Sequence, residues 1–112
     1  MRLVTALIKP FKLEDVKEAV LKLAPGGLTI TESRGFGRQR GHTEVYRGTE
    51  YQIEFVPKIR VEVLVEDAEA YPLMEAIAGA ARTGSIGDGK VWATPVDGII
   101  RVRTGERDED AL

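Results

Sequence analysis

Residues 83–90 read TGSIGDGK. The glycines at 84, 87 and 89 let successive backbone N–H groups converge on an anion, and Lys90 adds a positive charge beside them. The spacing G-x-x-x-x-G-K is that of a phosphate loop, but Val91 stands where such a loop needs Ser or Thr for magnesium. The order of elements is also reversed. A helical pattern precedes the glycines and a strand pattern follows, whereas a phosphate loop feeds a helix whose N-terminus faces the phosphates. The NTPase motif is therefore rejected. Two readings of the segment remain: an anion-binding backbone, and a glycine turn that joins a helix to a strand.

Arg101 and Arg103 are two residues apart. In an extended strand they share a face, where two guanidiniums repel unless an anion or carboxylates lie between them. The alternative to a bound phosphate is pairing with Glu106 or Asp108. Residues 35–41, GFGRQRG, look like a dinucleotide fingerprint with one residue too many before the last glycine. No helical pattern follows, so a Rossmann reading fails. Residues 44–55, EVYRGTEYQIEF, read as two extended arms around Arg47 and Gly48. A surface hairpin is one reading; Tyr46, Arg47 and Tyr51 are also residue types common at interfaces. His42 is the only histidine and lies in a polar segment, a poor setting for a rigid catalytic base. The chain has no cysteine, which excludes disulfides and thiolate zinc sites.

These residues must be positioned by the elements around them. Residues 2–8 alternate Leu3, Thr5 and Leu7 against Val4, Ala6 and Ile8, a strand with two largely apolar faces that both need cover. Residues 13–24 carry Leu13, Val16, Val20 and Leu23 at helical spacing, and Pro25-Gly26-Gly27 stops that helix. Residues 28–35 form a second strand. Ile59, Val61, Val63 and Val65 alternate with Arg60, Glu62 and Leu64 in a third. A second helix runs from near Asp67 to Ala81, with Met74, Ile77, Ala78 and Ala81 on its buried face. Pro72 fits only near a first turn, which points to a later start. Residues 91–96 and 99–102 supply further strand material, and the acidic tail 105–112 is expected to fray. The order βαβ–βαβ predicts one α+β domain over 1–112, a ferredoxin-like βαββαβ sandwich with both helices on one sheet face. The apolar second face of the first strand points to cover by another subunit. The connection at 37–57 is roughly twenty residues, longer than compact domains usually use without a functional reason.

The 112 residues suit a single domain, with 43% hydrophobic and 30% charged residues and a net charge of −2. That charge gives no general pull toward nucleic acid or an anionic membrane. An RNA-binding sheet would want basic and aromatic residues on its central strands, and the third strand offers Arg60, Glu62 and Leu64 instead. No apolar run approaches the ~18 residues of a membrane span. The opening MRLVTALIKPFK is too short for a signal peptide. The expected setting is cytoplasmic, with no membrane insertion.

Four strings in order, IKPFKLEDV, TESRGFGRQRGHTEVYRGTEY, TGSIGDGKVW and IRVRTGE, together resemble the PII signal-transduction proteins of nitrogen regulation. The resemblance covers essentially the whole chain. It implies a homotrimer of ferredoxin-like subunits with ATP or ADP in the clefts between them. It implies 2-oxoglutarate bound with Mg2+ and ATP, and a mobile loop at about 37–57 that contacts target proteins. Such targets are nitrogen-assimilation enzymes, a sensor kinase or an ammonium channel. Gly87, Asp88, Gly89 and Lys90 are similar to the family's phosphate loop. Arg101 and Arg103 match its phosphate-binding arginines, contributed by a neighbouring subunit. Gly37, Arg38 and Gln39 match the base of the mobile loop beside the nucleotide, and Thr29, Glu62 and Leu64 match positions around the adenine. Gln39 and Lys58 match positions that engage 2-oxoglutarate, Gln39 also its magnesium. Arg47 and Tyr51 lie at the loop tip, and Tyr51 matches a tyrosine uridylylated in some bacterial members. Thr49 stands where the family usually has Ala or Ser and where some members are phosphorylated. The implied role is an allosteric regulator rather than an enzyme. The alternative is a weak ATPase or another nucleotide-binding module.

Overall fold

The computed structural model describes residues 1–37 and 55–112 in full and, between them, the backbone of 43–46 and 49–52. Strand β1 (Arg2–Ile8) leads through a short 3-10 turn into helix α1 (Leu13–Leu23) and then strand β2 (Thr29–Gly35). Two short strands, β3 (Thr43–Tyr46) and β4 (Thr49–Gln52), pair with each other, Tyr46 opposite Thr49. Strand β5 (Val56–Val65), helix α2 (Asp67–Ala81) and strand β6 (Lys90–Pro95) complete the main body. The four-stranded sheet has the order β2-β5-β1-β6 and is antiparallel throughout. This is the ferredoxin-like α+β arrangement expected from the element order.

Period-2 patterning sets the sheet register. Val4, Ala6 and Ile8 lie opposite Val63, Val61 and Ile59, and all six are buried. Val16 and Val20 of α1 and Ala70, Leu73, Ile77 and Ala81 of α2 close the core over this face. Full burial of a side chain such as Leu73 or Ile77 contributes about 1.5–3 kcal/mol. The other face carries Leu3 and Leu7 of β1, Leu64 of β5 and Trp92 of β6. The Arg60 guanidinium lies 5.9 Å from the centroid of the Trp92 ring, and Thr5, on the strand between them, is 1% exposed. Leu64 remains 44% exposed. Both faces of β1 are thus apolar, and the two helices cover one.

Several expectations are corrected. Helix α2 begins at Asp67 with Pro72 inside it. Pro72 and Ala68 are both on the exposed side, where the carbonyl that loses its partner can turn to water. The buried stripe of α2 is Ala70, Leu73, Ile77 and Ala81, with Met74 half-buried and Ala78 exposed. The larger Leu73 sets the rotation of the helix. Leu23, at the last turn of α1, is 44% exposed. Residues 99–102 form no strand; one bridge joins Ile100 to Arg107. Gly105, at a φ of 75°, closes a turn there by donating its N–H to the Arg101 carbonyl. The tail does not fray but ends in a 3-10 turn (Asp108–Ala111). Strand pairing reaches Val56 opposite Gly35, so the connection between β2 and β5 is shorter at its C-terminal end than 37–57.

Candidate functional site

The antiparallel register brings three chain segments to one end of the sheet. Lys90 pairs with Leu7 at the end of β1, while Gly35 and Ser33 pair with Val56 and Lys58 at the start of β5. The glycine loop therefore closes against β1 beside Lys58. Gly89 sits there at a φ of 96°, and a Cβ on it would come within 1.7 Å of the Leu7 carbonyl oxygen. Only glycine permits this close approach.

Asp88 organises the loop from within. Its carboxylate accepts the Thr83 N–H at 2.8 Å, the Gly84 N–H at 2.8 Å and the Thr83 hydroxyl. The Ser85 N–H donates to the Thr83 hydroxyl oxygen at 3.1 Å. The first three amides of the loop are thus engaged internally. The Lys9 ammonium adds an ion pair to Asp88 at 3.2 Å. The hydrogen bonds from the Thr83 hydroxyl and amide, then those from Gly84 and Lys9, hold the Asp88 carboxyl well below the usual carboxylate range. A free Asp titrates near ~3.9. Asp88 is expected to stay ionised there. Because its pKa is lower folded than unfolded, its stabilising contribution is complete above the ordinary value and fades as pH falls toward the depressed one. An NMR titration of the Asp88 carboxyl checks this, and an unshifted midpoint contradicts it.

Lys58 is 9% exposed, and its ammonium donates to the Gly87 carbonyl. Burial pushes its pKa down, the Lys9 charge adds to that, and Asp88 works in the opposite direction. Lys9, Lys58 and Lys90 thus stand around a loop that contains one carboxylate. This arrangement suits an anionic ligand.

The remaining candidates lie elsewhere. Thr29 pairs with Glu62 at the opposite end of β2, six residues and about 20 Å along the strand from Gly35. Thr29, Glu62 and Leu64 line an open groove of about 830 Å3 together with Leu28, Glu109 and Leu112. Arg101 joins this second group: its guanidinium donates to Glu106 Oε1 at 2.8 Å and to the Leu112 carbonyl at 2.9 Å. Within this chain the carboxylate pairing considered from the sequence is the one present. Arg103 is exposed in the neighbouring turn rather than on a strand. Gly37 is exposed just beyond β2. Arg38, Gln39 and Arg47 lie outside the described residues, as do the side chains of Thr49 and Tyr51. Lys9 and Thr83 carry no sequence signal for their roles: they are 74 residues apart and meet only through the fold.

These features define a small α+β protein of ferredoxin-like fold with a cationic glycine loop at one end of its sheet. A family model described as Nitrogen regulatory protein P-II matches residues 1–106. The chain is 53% identical to the nitrogen regulatory protein P-II of Azospirillum brasilense over 112 residues, all of both chains. It is 51% identical to the nitrogen regulatory protein GlnK of Escherichia coli K12, again over the whole of both. A crystal structure of Arabidopsis thaliana PII bound to citrate superposes with a TM-score of 0.81 at 36% identity, covering 99% of this chain and 91% of that one. The chain belongs to the PII nitrogen regulatory protein family.

Proposed function

We propose that the protein is a cytoplasmic sensor of nitrogen, carbon and energy status that binds ATP or ADP and, with Mg-ATP, 2-oxoglutarate. It acts on nitrogen-assimilation enzymes, a sensor kinase or an ammonium channel through the connection between β2 and β5, with Arg47 and Tyr51 at the contact. The observation that carries the reading is the division of the candidate residues between two ends of one sheet. Gly35, Gly37, Lys58 and residues 87–90 stand at one end, and Thr29, Glu62, Leu64 and Arg101 at the other. A nucleotide touching both groups is best accommodated between subunits, with phosphates on one glycine loop and adenine in the neighbour's groove. The apolar, uncovered sheet face supports the homotrimer that this requires. Light scattering is expected to give three times the 12.3 kDa chain mass; a monomer contradicts the shared site.

The citrate of the Arabidopsis protein is a polycarboxylate, the charge class of 2-oxoglutarate, and Lys58 suits such a ligand. Among the described residues, no group of three or more His, Asp or Glu side chains is placed to hold a metal. In this proposal magnesium is held by ligand oxygens and Gln39, which fits its preference for oxygen donors and retained waters. The proposal assigns no catalytic residue.

ATP and ADP are expected to compete for one site per subunit. Lys90→Ala removes a charge-assisted contact worth about 1.5–3 kcal/mol and is expected to weaken ATP by that amount while sparing adenosine. Calorimetry with ATP, ADP and adenosine tests this. Absence of nucleotide binding by the wild type ends the reading.

A further inference from the structure

We infer that Lys9 is a positioning residue for the anion-binding loop: its ammonium neutralises the loop's own carboxylate, Asp88, and ties it to the end of β1. The inference rests on the nucleotide reading above. A carboxylate inside a loop that must attract phosphate works against binding unless its charge is cancelled. The Thr83 hydroxyl and the Thr83 and Gly84 amides stabilise Asp88, but they are neutral and leave its charge in place. Lys9 supplies the opposite charge at 3.2 Å, and the same ammonium donates to the Thr83 hydroxyl oxygen at 3.2 Å. Lys58 is committed to the Gly87 carbonyl and is buried beside the start of β5.

The backbone fixes Lys9 for this task. Pro10 follows it, which disfavours helical geometry at Lys9, and its φ and ψ are −64° and 137°. It continues the alternation of β1, on the side of Leu7. Its side chain is 11% exposed, so the ammonium is held rather than trailing in water. With Lys9, Lys58 and Lys90 against Asp88, the loop end carries a surplus of positive charge; without Lys9, half of that surplus is lost.

The test uses the assembled wild-type protein, Lys9→Met, Lys9→Arg, Asp88→Asn and the Lys9→Met/Asp88→Asn double variant, titrated with ATP, ADP and adenosine. Lys9→Met is expected to weaken ATP about 10-fold and to leave adenosine within about twofold, with Lys9→Arg restoring most of the loss. In the Asp88→Asn background the loss from Lys9→Met shrinks, because no carboxylate is left to be released toward the ligand when its tie to Lys9 is cut. Equal losses for ATP and adenosine, an undiminished loss in the double variant, or unchanged ATP binding in Lys9→Met overturn the inference and leave the nucleotide site standing. A wild type that binds no nucleotide overturns both. The amide resonances of Thr83 and Gly84 give a readout without nucleotide. They are expected to move in Lys9→Met, and unmoved resonances overturn the tie between Lys9 and Asp88.

Discussion

Gly89→Ala is expected to destabilise the protein by about 2–6 kcal/mol, through backbone strain at positive φ of ~1–3 kcal/mol and overpacking of ~1–3 kcal/mol. The added Cβ would lie 1.7 Å from the Leu7 carbonyl oxygen and 2.8 Å from its carbonyl carbon. Both are backbone atoms of a central strand, so the loop must yield. Yielding pulls Lys90 away from Leu7, the first pair of the β1–β6 ladder. It also moves Gly87 from Lys58 and Asp88 from Lys9. Gly84→Ala is the matched control. Its φ is also positive, at 87°, but nothing lies within 4 Å of the added Cβ, so the strain of about 1–3 kcal/mol stands alone. Urea unfolding of the two variants checks the order, and equal midpoints contradict the close approach.

The second large effect is expected at Lys58. Methionine keeps much of the stem volume in a position that is 9% exposed but removes the charge. Lys58→Met is expected to abolish the 2-oxoglutarate response, because leaving one member of a buried charge pair without its partner costs about 3–5 kcal/mol. The variant also loses the bond to the Gly87 carbonyl, so a moderate loss of ATP affinity accompanies it. If Lys58→Met binds 2-oxoglutarate as the wild type does, Lys58 is not the carboxylate partner and serves only the glycine loop.

Much of the fold was legible because the core strands follow a strict period of two. Ile59, Val61, Val63 and Val65 are 9%, 0%, 2% and 2% exposed, as their alternation predicted. Helix α2 was less legible. Alanines surround the true stripe, and periodicity alone favoured Met74 and Ala78 over Leu73 and Ala70. Residues 99–102 have the composition of a strand, yet the turn at Gly105 and the contact of Arg101 with Leu112 hold them otherwise. The turn is local and rests on Gly105, but the reach of Arg101 to the Leu112 carbonyl, eleven residues on, is announced by no local pattern. At the site, the glycine loop stood out by composition and Lys58 by resemblance. The inward engagement of Asp88 was not legible, because its ion-pair partner Lys9 is distant in sequence and reaches it only once β1 and β6 have paired.

In the proposed function nucleotide and 2-oxoglutarate share one linked site. Two oxygens of 2-oxoglutarate can chelate a metal, and magnesium held by ATP phosphates keeps exchangeable positions open to it. ADP lacks the γ-phosphate and holds that metal less well. In the proposed site Gln39 follows β2 in sequence and Lys58 stands in β5, so a ligand held by both would bias the conformations of the connection between them. Linkage then requires 2-oxoglutarate to tighten ATP as much as ATP tightens it, with a coupling of about 1–3 kcal/mol. The direct measurement is calorimetric titration of 2-oxoglutarate into the protein with Mg-ATP, with Mg-ADP and without nucleotide. Strong binding is expected with Mg-ATP alone; equal affinity under all three conditions overturns the linked site.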